Sequence, residues 1–446
     1  MIRTWLGCLL LVGSSTHTVS AQSESALHRS LDSAWNSLLT VWYPRALDTV
    51  YGGYRANFEY DWQPSPQQDK MIVTQARHLW TTTQAARQYP EQPLYARAAQ
   101  HGFEFLRDHL WNKKYGGFYW IVDQKGIPLP SATNELMRTY GQAFGIYALA
   151  AYARYRRDEE SLALAQQAFA WLDEHAHDDT YGGYVATLTE EGNPLDQLSG
   201  SSGQLPPQAF YKDQNTSIHL LEAFTELYRI WPDPHLRHRL HEMLSLVRDT
   251  MVTDVGYLRL YFLPDWTPVS YRDSSEHLRE ANYALDHVSF GHDIETAFLL
   301  LEASEALYGD ADDTTHYVAK QLVDHTLAFG FDPKRSGIYD RGYYLPDSTS
   351  VTIIDDKKAW WAQAEGLNTL YLYAQLHPQN PVYRRAFDLL WHYTKTFVMD
   401  AEYGGWYEAG IDTYPAARKK PKGQAWKGNY HNGRALMRLL ERTAQP

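Results

Sequence analysis

Three histidines stand near the starts of three segments whose apolar residues recur with the period of an α-helix. His219 lies in NTSIHLLEAF, His292 in GHDIETAFLLLEA and His431 in HNGRALMRLLER. An imidazole, with an unperturbed pKa of ~6.5, can accept and return a proton near neutral pH. Three of the 19 histidines at matching places in a repeat therefore indicate acid–base catalysis, with His292 and His431 as the principal pair.

An arginine, two glutamates and two tryptophans lie in or near comparable segments. Arg77 could stabilise a developing oxyanion, because a guanidinium stays charged and offers several donors; otherwise it forms a surface salt bridge. Glu295 and Glu365 could bind sugar hydroxyls, tune a histidine or form the carboxylate pair of a glycoside hydrolase. Trp361 and Trp426 offer flat apolar faces to a sugar ring, although core packing is the alternative for each.

Metal binding is the competing role for the three histidines. The sequence contains no HExxH motif, and no dense group of His and Asp residues accompanies them. Metal ligands normally come in such spaced groups. We therefore expect no catalytic metal.

A short phrase with paired glycines recurs about every 70 residues and defines the elements that must position these side chains. Two glycines followed by an aromatic residue are typical of a tight turn that enters a short strand. The clear copies are YGGY at 51–54, YGGF at 115–118, YGGY at 181–184 and YGGW at 403–406, with weaker copies at 256–257 and 337–339. A period of this length predicts a repeat architecture.

Two helices fit within each repeat. One set of six amphipathic segments begins near Gln75, Tyr140, Asn215, His292, Trp361 and His431, and examples of the second set span 95–110, 160–175 and 382–397. Twelve helices in six pairs predict an all-α fold, an (α/α)6 barrel with short β-turn or strand connections at one mouth. An open solenoid is the alternative, but its repeats are usually shorter, ~33–47 residues.

The first six helices share polar or aromatic openings followed by apolar continuations. If they form the inner ring of a barrel, their N-terminal ends meet at one mouth, and a polar, aromatic ring above an apolar floor is a ligand pocket. The openings are Gln75/Arg77, Tyr140/Gln142, Asn215/His219, His292/Glu295, Trp361/Glu365 and His431/Arg434.

Composition sets the remaining limits. A chain of 446 residues suggests about three domains by length alone, but the repeat favours a single barrel over residues 22–446. The formal net charge of −12 without a basic tail argues against a nucleic-acid partner, because phosphate neutralisation needs clustered Lys and Arg.

Residues 1–21 are expected to form a signal peptide. Arg3 precedes an apolar stretch at 5–12, and Val19 and Ala21 provide small residues before a cleavage site. A lipoprotein site at Cys8, the one cysteine, is the alternative. We expect a periplasmic or secreted protein without a membrane anchor, because no other segment approaches the ~18 apolar residues of a membrane span. Nucleotide cofactors are scarce outside the cytoplasm, so we expect no cofactor.

Six segments together resemble the cellobiose 2-epimerase branch of the N-acylglucosamine 2-epimerase superfamily. They occur in the family's order and extend over most of residues 22–446. The segments are DKMIVTQARHLW (69–80), YGQAFGIYAL (140–149), NTSIHLLEAF (215–224), SFGHDIETAFLLLEA (289–303), WWAQAEG (360–366) and WKGNYHNGR (426–434).

The resemblance implies a reaction without metal or cofactor, in which a reducing-end aldose opens, loses its C2 proton and is reprotonated on the opposite face. By this resemblance His292 and His431 are the two acid/bases, His219 assists ring opening and Arg77 stabilises the enediolate. Residues implied to position a disaccharide are Tyr140, Asn215, Glu295, Trp361, Glu365 and Trp426. The enzyme is expected to be a monomer.

Three other functions remain open at this point. An aldose–ketose isomerase or monosaccharide 2-epimerase would use the same enediol, a glycoside hydrolase would use Glu295 and Glu365, and a sugar-binding protein would need no histidines. The polar stretch at 192–207 is expected to be a surface loop, either covering the mouth or inert.

Overall fold

The structure is a computed structural model that describes residues 13–129, 136–195 and 212–444. The apolar stretch of the expected signal peptide, at 5–12, and most of the loop at 192–207 lie outside these ranges. The first helix, α1, runs from Gly13 to Trp42 and so extends across the expected cleavage point. The signal peptide stays a prediction.

Six helices form a closed inner ring. Each contacts the next around the ring, and the last contacts the first, which an open solenoid does not allow. They are α2 (Ile72–Gln88), α4 (Thr139–Arg156), α6 (Gln214–Tyr228), α9 (Phe290–Tyr308), α11 (Trp360–Leu376) and α13 (Tyr430–Thr443). These are the six segments predicted from periodicity, and the barrel is confirmed.

A second layer of helices covers the ring from outside. Each outer helix packs against an inner helix. They are α1, α3 (Pro93–Phe105), α5 (Glu159–Ala176), α7 (Pro234–Ser245), α10 (Asp313–His325) and α12 (Pro381–Tyr393). Four of them continue into π-helical turns at Leu106–Leu110, Leu246–Met251, Thr326–Gly330 and Thr394–Val398. These turns account for the longer outer segments that the sequence predicts, such as 95–110.

Short antiparallel strands connect the helices at the mouth, as predicted. Four of these strands directly precede inner helices. The pairs are β1 (Lys70–Met71) with β2 (Ile121–Val122), β3 (Leu136–Arg138) with β4 (Thr187–Thr189), and β5 (Lys212–Asp213) with β6 (Tyr261–Phe262), while β7 (Val288–Ser289), β8 (Arg341–Tyr344) and β9 (Val351–Asp355) form a three-stranded sheet. An additional helix, α8 (Glu276–Asp286), lies in the longest repeat and was not predicted.

The paired glycines form the turns that the sequence predicts. Gly52 and Gly53 have φ angles of +83° and +65°, a region that residues with a Cβ rarely adopt. Asp48 accepts hydrogen bonds from the backbone N–H groups of Val50 and Tyr51, which closes the turn. Each such turn is therefore locally encoded.

Buried side chains in or before the inner helices tie the turns to these helices: a lysine, a glutamine or both at five turns, and Asp293, which accepts from the Leu258 N–H, at the remaining one. Lys70 Nζ lies 2.8 Å from Asp48 Oδ2, and the Gln75 side-chain amide accepts from the Tyr54 N–H and donates to the Tyr54 carbonyl. Equivalent ties are Lys212–Asp178, Lys358–Asp332, Lys422–Asp400, Gln142–Phe118 and Gln363–Ile338. The start of each inner helix is thereby fixed relative to the mouth, and Gln75 and Gln142 have a structural role.

Candidate active site

A cavity of about 200 Å³ opens at the N-terminal ends of the inner helices. Nine of the ten predicted site residues line it, together with Trp360. The lining residues are Arg77, Tyr140, Asn215, His219, His292, Glu295, Trp360, Trp361, Trp426 and His431. The tenth predicted residue, Glu365, is fully buried behind His431.

A second cavity of about 410 Å³ adjoins the first and shares Tyr140, Asn215 and Trp426 with it. The indole of Trp426 is 47% exposed between them, and its centroid is 6.0 Å from that of Trp120. The other residues lining this second cavity are Arg138, Ala186, Thr187, Asp213, Thr216 and Tyr261. Two adjoining spaces that share an exposed indole suit a ligand with two ring units.

His431 is the second residue of α13, and its orientation is set by a carboxylate. Its Nδ1 lies 2.6 Å from Glu365 Oε1, so the Nδ1 proton is directed to the glutamate and Nε2 is left as the basic nitrogen. Burial, together with the charges of Arg77 and Arg434, holds the pKa of His431 well below its usual value. The neutral imidazole is therefore the resting form.

His292 enters the cavity from α9. Its Nδ1 lies 2.7 Å from Ser289 Oγ, which again leaves Nε2 for a ligand. Burial, with a smaller contribution from His219, lowers the pKa of His292 to about 3. The ring centroids of His292 and His431 lie 4.7 Å and 5.8 Å from that of Trp361, so the two imidazoles approach one indole from different helices.

His219 is held by Glu222, one turn further along α6. The distance between His219 Nδ1 and Glu222 Oε2 is 2.9 Å. Burial alone would raise the pKa of Glu222, but the charge of Arg434 and the hydrogen bond to His219 bring it down to about 2. An ionised Glu222 fixes the Nδ1–H tautomer of His219, whose ring also packs edge-on against Tyr140 at 5.3 Å.

Arg77 lies in the cavity wall and not at the surface. It is 5% exposed, and its Nη2 donates to the Tyr140 hydroxyl at 3.0 Å. The guanidinium lies 4.5 Å from the centroid of Phe144 and 5.2 Å from that of Tyr430. Among the described residues no carboxylate lies within ion-pair distance of it, so the surface salt-bridge alternative is wrong, and its charge is available to a ligand.

Arg434 forms the floor of the site and was noted in the sequence only as a helix opening. Its guanidinium binds Glu222, Glu295 and Glu365, the last at 2.7 Å. Burial and the neighbouring Glu295 raise the pKa of Glu365 well above its usual value, since Arg434 offsets them only in part. Sequence analysis gave no role to Glu222 or Arg434, although each follows a predicted histidine by three positions, the spacing of neighbours on one helix face.

One group of possible metal ligands exists in the described part of the chain. Single ligand atoms of Glu295, Glu365 and His431 lie within 4.8 Å of one another. The guanidinium of Arg434 already binds both carboxylates, so a divalent cation would have to approach a fixed positive charge. The donor set is therefore a poor fit for a metal.

The fold and this histidine-lined, aromatic pocket define a carbohydrate-active enzyme of the (α/α)6-barrel class. Residues 52–435 match the family model of N-acylglucosamine 2-epimerase (GlcNAc 2-epimerase). The chain therefore belongs to this family and, within it, to the cellobiose 2-epimerase branch, which makes it a carbohydrate epimerase of the isomerase class.

Individual relatives support the assignment to this branch. The chain is 28% identical to a cellobiose 2-epimerase of Bacteroides fragilis, over 90% of this chain and 95% of the relative. The identity to one from Ruminococcus albus is 29%, over 89% and 93%. The structure of cellobiose 2-epimerase from Spirochaeta thermophila DSM 6192 superposes with a TM-score of 0.81 at 30% identity, covering 95% of this chain and 98% of that one. A D-mannose isomerase structure, at 21% identity and a TM-score of 0.79, shares the fold.

Proposed function

We propose that this enzyme inverts C2 of the reducing-end sugar of β-1,4-linked disaccharides such as cellobiose or mannobiose, without a cofactor. The observation that carries the proposal is the pair His292 and His431, which come from different helices, are both anchored through Nδ1 with Nε2 left for a ligand, and both pack against Trp361. The relatives named above are cellobiose 2-epimerases of the same branch, which supports the proposal.

The reaction begins with opening of the reducing-end ring. His219, oriented by Glu222, assists the proton transfer between the anomeric hydroxyl and the ring oxygen. The open aldehyde makes the C2 proton acidic. One of the two neutral imidazoles then removes this proton at Nε2, and the electron pair forms a C1–C2 double bond with the negative charge on O1.

The enediolate needs charge stabilisation and a proton donor on its other face. Arg77 provides a buried positive charge for O1. The negative charge of the enediolate favours uptake of a solvent proton at Nε2 of the second histidine, which delivers it to the opposite face of C2, while the first histidine releases the abstracted proton to solvent. Reprotonation at C1 instead would give a ketose, the product of the alternative isomerase.

The second cavity supports a disaccharide as the substrate. The reducing-end sugar occupies the space of about 200 Å³ among the histidines, and the second sugar occupies the adjoining space against Trp426 and Trp120. The hydrolase alternative is less well supported, because Glu295 and Glu365 both bind the one guanidinium of Arg434 instead of facing each other across a cleft.

NMR of cellobiose and mannobiose incubated with the enzyme in D2O tests this function. Deuterium should appear at C2 of the reducing-end sugar, with conversion to the C2 epimer, and His431→Ala should stop it. Product without deuterium would refute the mechanism, a ketose would indicate the isomerase, and free monosaccharides would indicate a hydrolase.

Two further proposals concern where and how the enzyme works. A periplasmic or secreted location is supported by the small residues at Val19 and Ala21, and N-terminal sequencing of the mature protein tests it. No helix among the described residues is long and apolar enough to span a bilayer. A monomer is also proposed, and light scattering tests it.

A further inference from the structure

One buried guanidinium connects two of the histidines that the proposed function uses. Arg434 binds Glu222, whose other oxygen lies 2.9 Å from His219 Nδ1. It also lies 2.7 Å from Glu365 Oε1, and the same oxygen is 2.6 Å from His431 Nδ1. The connection from His219 to His431 is therefore continuous through hydrogen bonds and ion pairs.

The connection is buried throughout. Glu222, Glu365 and Arg434 are at most 6% exposed. The Tyr430 hydroxyl braces the first half, since it donates to Glu222 at 2.6 Å and accepts from Arg434 at 2.7 Å. With so little water to screen them, charges on this chain of groups interact more strongly than surface charges.

The cluster around Arg434 contains fewer positive charges than carboxylates. Arg434 serves Glu222, Glu295 and Glu365 at once. When one of these carboxylates forms an ion pair with a protonated histidine, its interaction with Arg434 weakens, and Arg434 interacts more strongly with the other two carboxylates. The state of one carboxylate must therefore alter the state of the next.

We propose that Glu222, Arg434 and Glu365 are positioning residues that link the protonation of His219 to that of His431. This inference rests on the proposed function for its catalytic meaning. When His219 gains a proton, Glu222 neutralises it, and Arg434 interacts more strongly with Glu365. Glu365 then supports an imidazolium at His431 less well, so a proton on one histidine disfavours a proton on the other.

Such a link favours protonation of His219 and of His431 at different steps of the reaction. His219 can handle the ring-opening proton while His431 stays neutral and able to act as a base. Once His219 has released its proton, Glu365 can stabilise the imidazolium that forms at His431.

Other charged groups also face the two histidines and have to be held constant in a test. The groups around His431 are Glu295, Glu365, Arg77, Arg434, Tyr430, His219 and His292, and those around His219 are Glu222, Tyr140, His292 and His431. A variant that removes charge at Glu222 leaves every direct contact of His431 in place. A change at His431 then comes either through the link or directly from an altered charge on His219, and the Glu222–Glu365 cycle separates the two, because a direct effect of His219 does not depend on Glu365.

A double-mutant cycle on kcat tests the proposal. We expect Glu222→Gln and Glu365→Gln each to lower kcat about ten-fold to one hundred-fold with KM changed less than three-fold. The double variant should lose at least five-fold less than the product of the two single losses. The acid limb of the kcat–pH profile should also move in Glu222→Gln, and the His431 Nδ1 proton signal should shift in the NMR spectrum.

Glu226→Gln is the matched control. Glu226 lies one turn beyond Glu222 on α6, is 4% exposed, and pairs with Arg154 at 2.8 Å, outside the connection. Its combination with Glu365→Gln should be multiplicative, and the His431 signal should not move. If Glu222→Gln does not fold, Glu222→Asp, which keeps the charge but retracts the carboxylate from both His219 and Arg434, should shift the same signal to a smaller extent.

Multiplicative effects in the Glu222–Glu365 cycle, with an unchanged His431 signal in Glu222→Gln, would overturn the link. The proposed function fails separately, if the wild-type enzyme puts no deuterium at C2. In that case the NMR shift at His431 still decides whether the two histidines are linked.

Discussion

Replacing Arg77 with methionine gives the sharpest test of the proposed chemistry. Methionine keeps an apolar stem between Phe144 and Tyr430 but removes the positive charge and the hydrogen bond to the Tyr140 hydroxyl. The charge on the enediolate develops only after the C2 proton leaves. We therefore expect kcat to fall while KM changes little.

The size of the effect follows from the burial of Arg77. A unit charge ~4 Å from a developing anion contributes about 4 kcal/mol at an effective dielectric constant of ~20, a value that suits a side chain only 5% exposed. Removal of one oxyanion donor in other enzymes costs about 2.7–4 kcal/mol. Both values predict a loss in kcat of about 100-fold to 1,000-fold.

Initial rates with cellobiose, measured for Arg77→Met, Arg77→Lys and Tyr140→Phe, check this prediction. Arg77→Lys keeps the positive charge but lacks the several N–H donors of a guanidinium, so it should retain more of kcat than Arg77→Met. Tyr140→Phe keeps the charge and should lose less than Arg77→Met. A variant Arg77→Met with normal kcat and a raised KM would show that Arg77 only binds the ground state, and the mechanism would be refuted.

Three further outcomes are expected. Trp426→Ala should raise KM for cellobiose about ten-fold, equivalent to ~1.4 kcal/mol of lost stacking, with kcat within two-fold in steady-state kinetics. Lys70→Met should lower the free energy of unfolding by about 3 kcal/mol in urea, because it leaves the buried Asp48 carboxylate with only the more distant Arg55, at 3.8 Å; equal stability would contradict this. Burial raises the pKa of the Asp293 carboxyl well above its usual value. Above pH ~4 the unfolded chain has released this proton whereas the folded chain still holds it, so the free energy of unfolding falls as the pH rises. Asp293→Asn should remove this fall between pH 5 and 8 in thermal unfolding, and a parallel pH dependence would contradict it.

Periodicity predicted the ring because the relevant signals are local. Tyr140, Asn215, Trp361 and His431 are each the second residue of an inner helix. The sixth residues of three inner helices, Arg77, His219 and Glu295, line the same cavity one turn deeper. A repeat that fixes where each helix starts therefore also fixes which residues face the cavity.

The floor of the site could not be predicted in this way. Arg434 meets Glu222 across 212 positions and Glu295 across 139, and no local pattern encodes a contact of that separation. For the same reason Glu365, expected among the sugar-binding residues, is found behind His431, where it orients the imidazole.

The second cavity escaped prediction for a different reason. Trp120, Arg138 and Tyr261 lie in or beside strands of two or three residues, which are too short to show a hydrophobic period. Only the pairing of these strands across neighbouring repeats brings their side chains together beside Trp426.

Helix α13 is the last helix of the barrel to be synthesised, so activity depends on completion of the chain. Both His431 and Arg434 lie on this helix, which also closes the ring between α11 and α2 and packs against α1. A ribosome that has translated the first five helix pairs has made His219, His292 and Arg77, but neither the second base nor the cation beneath it. An unfinished chain, or one truncated by proteolysis before residue 430, is therefore unable to turn over sugar, and activity in a cell extract counts only completed molecules.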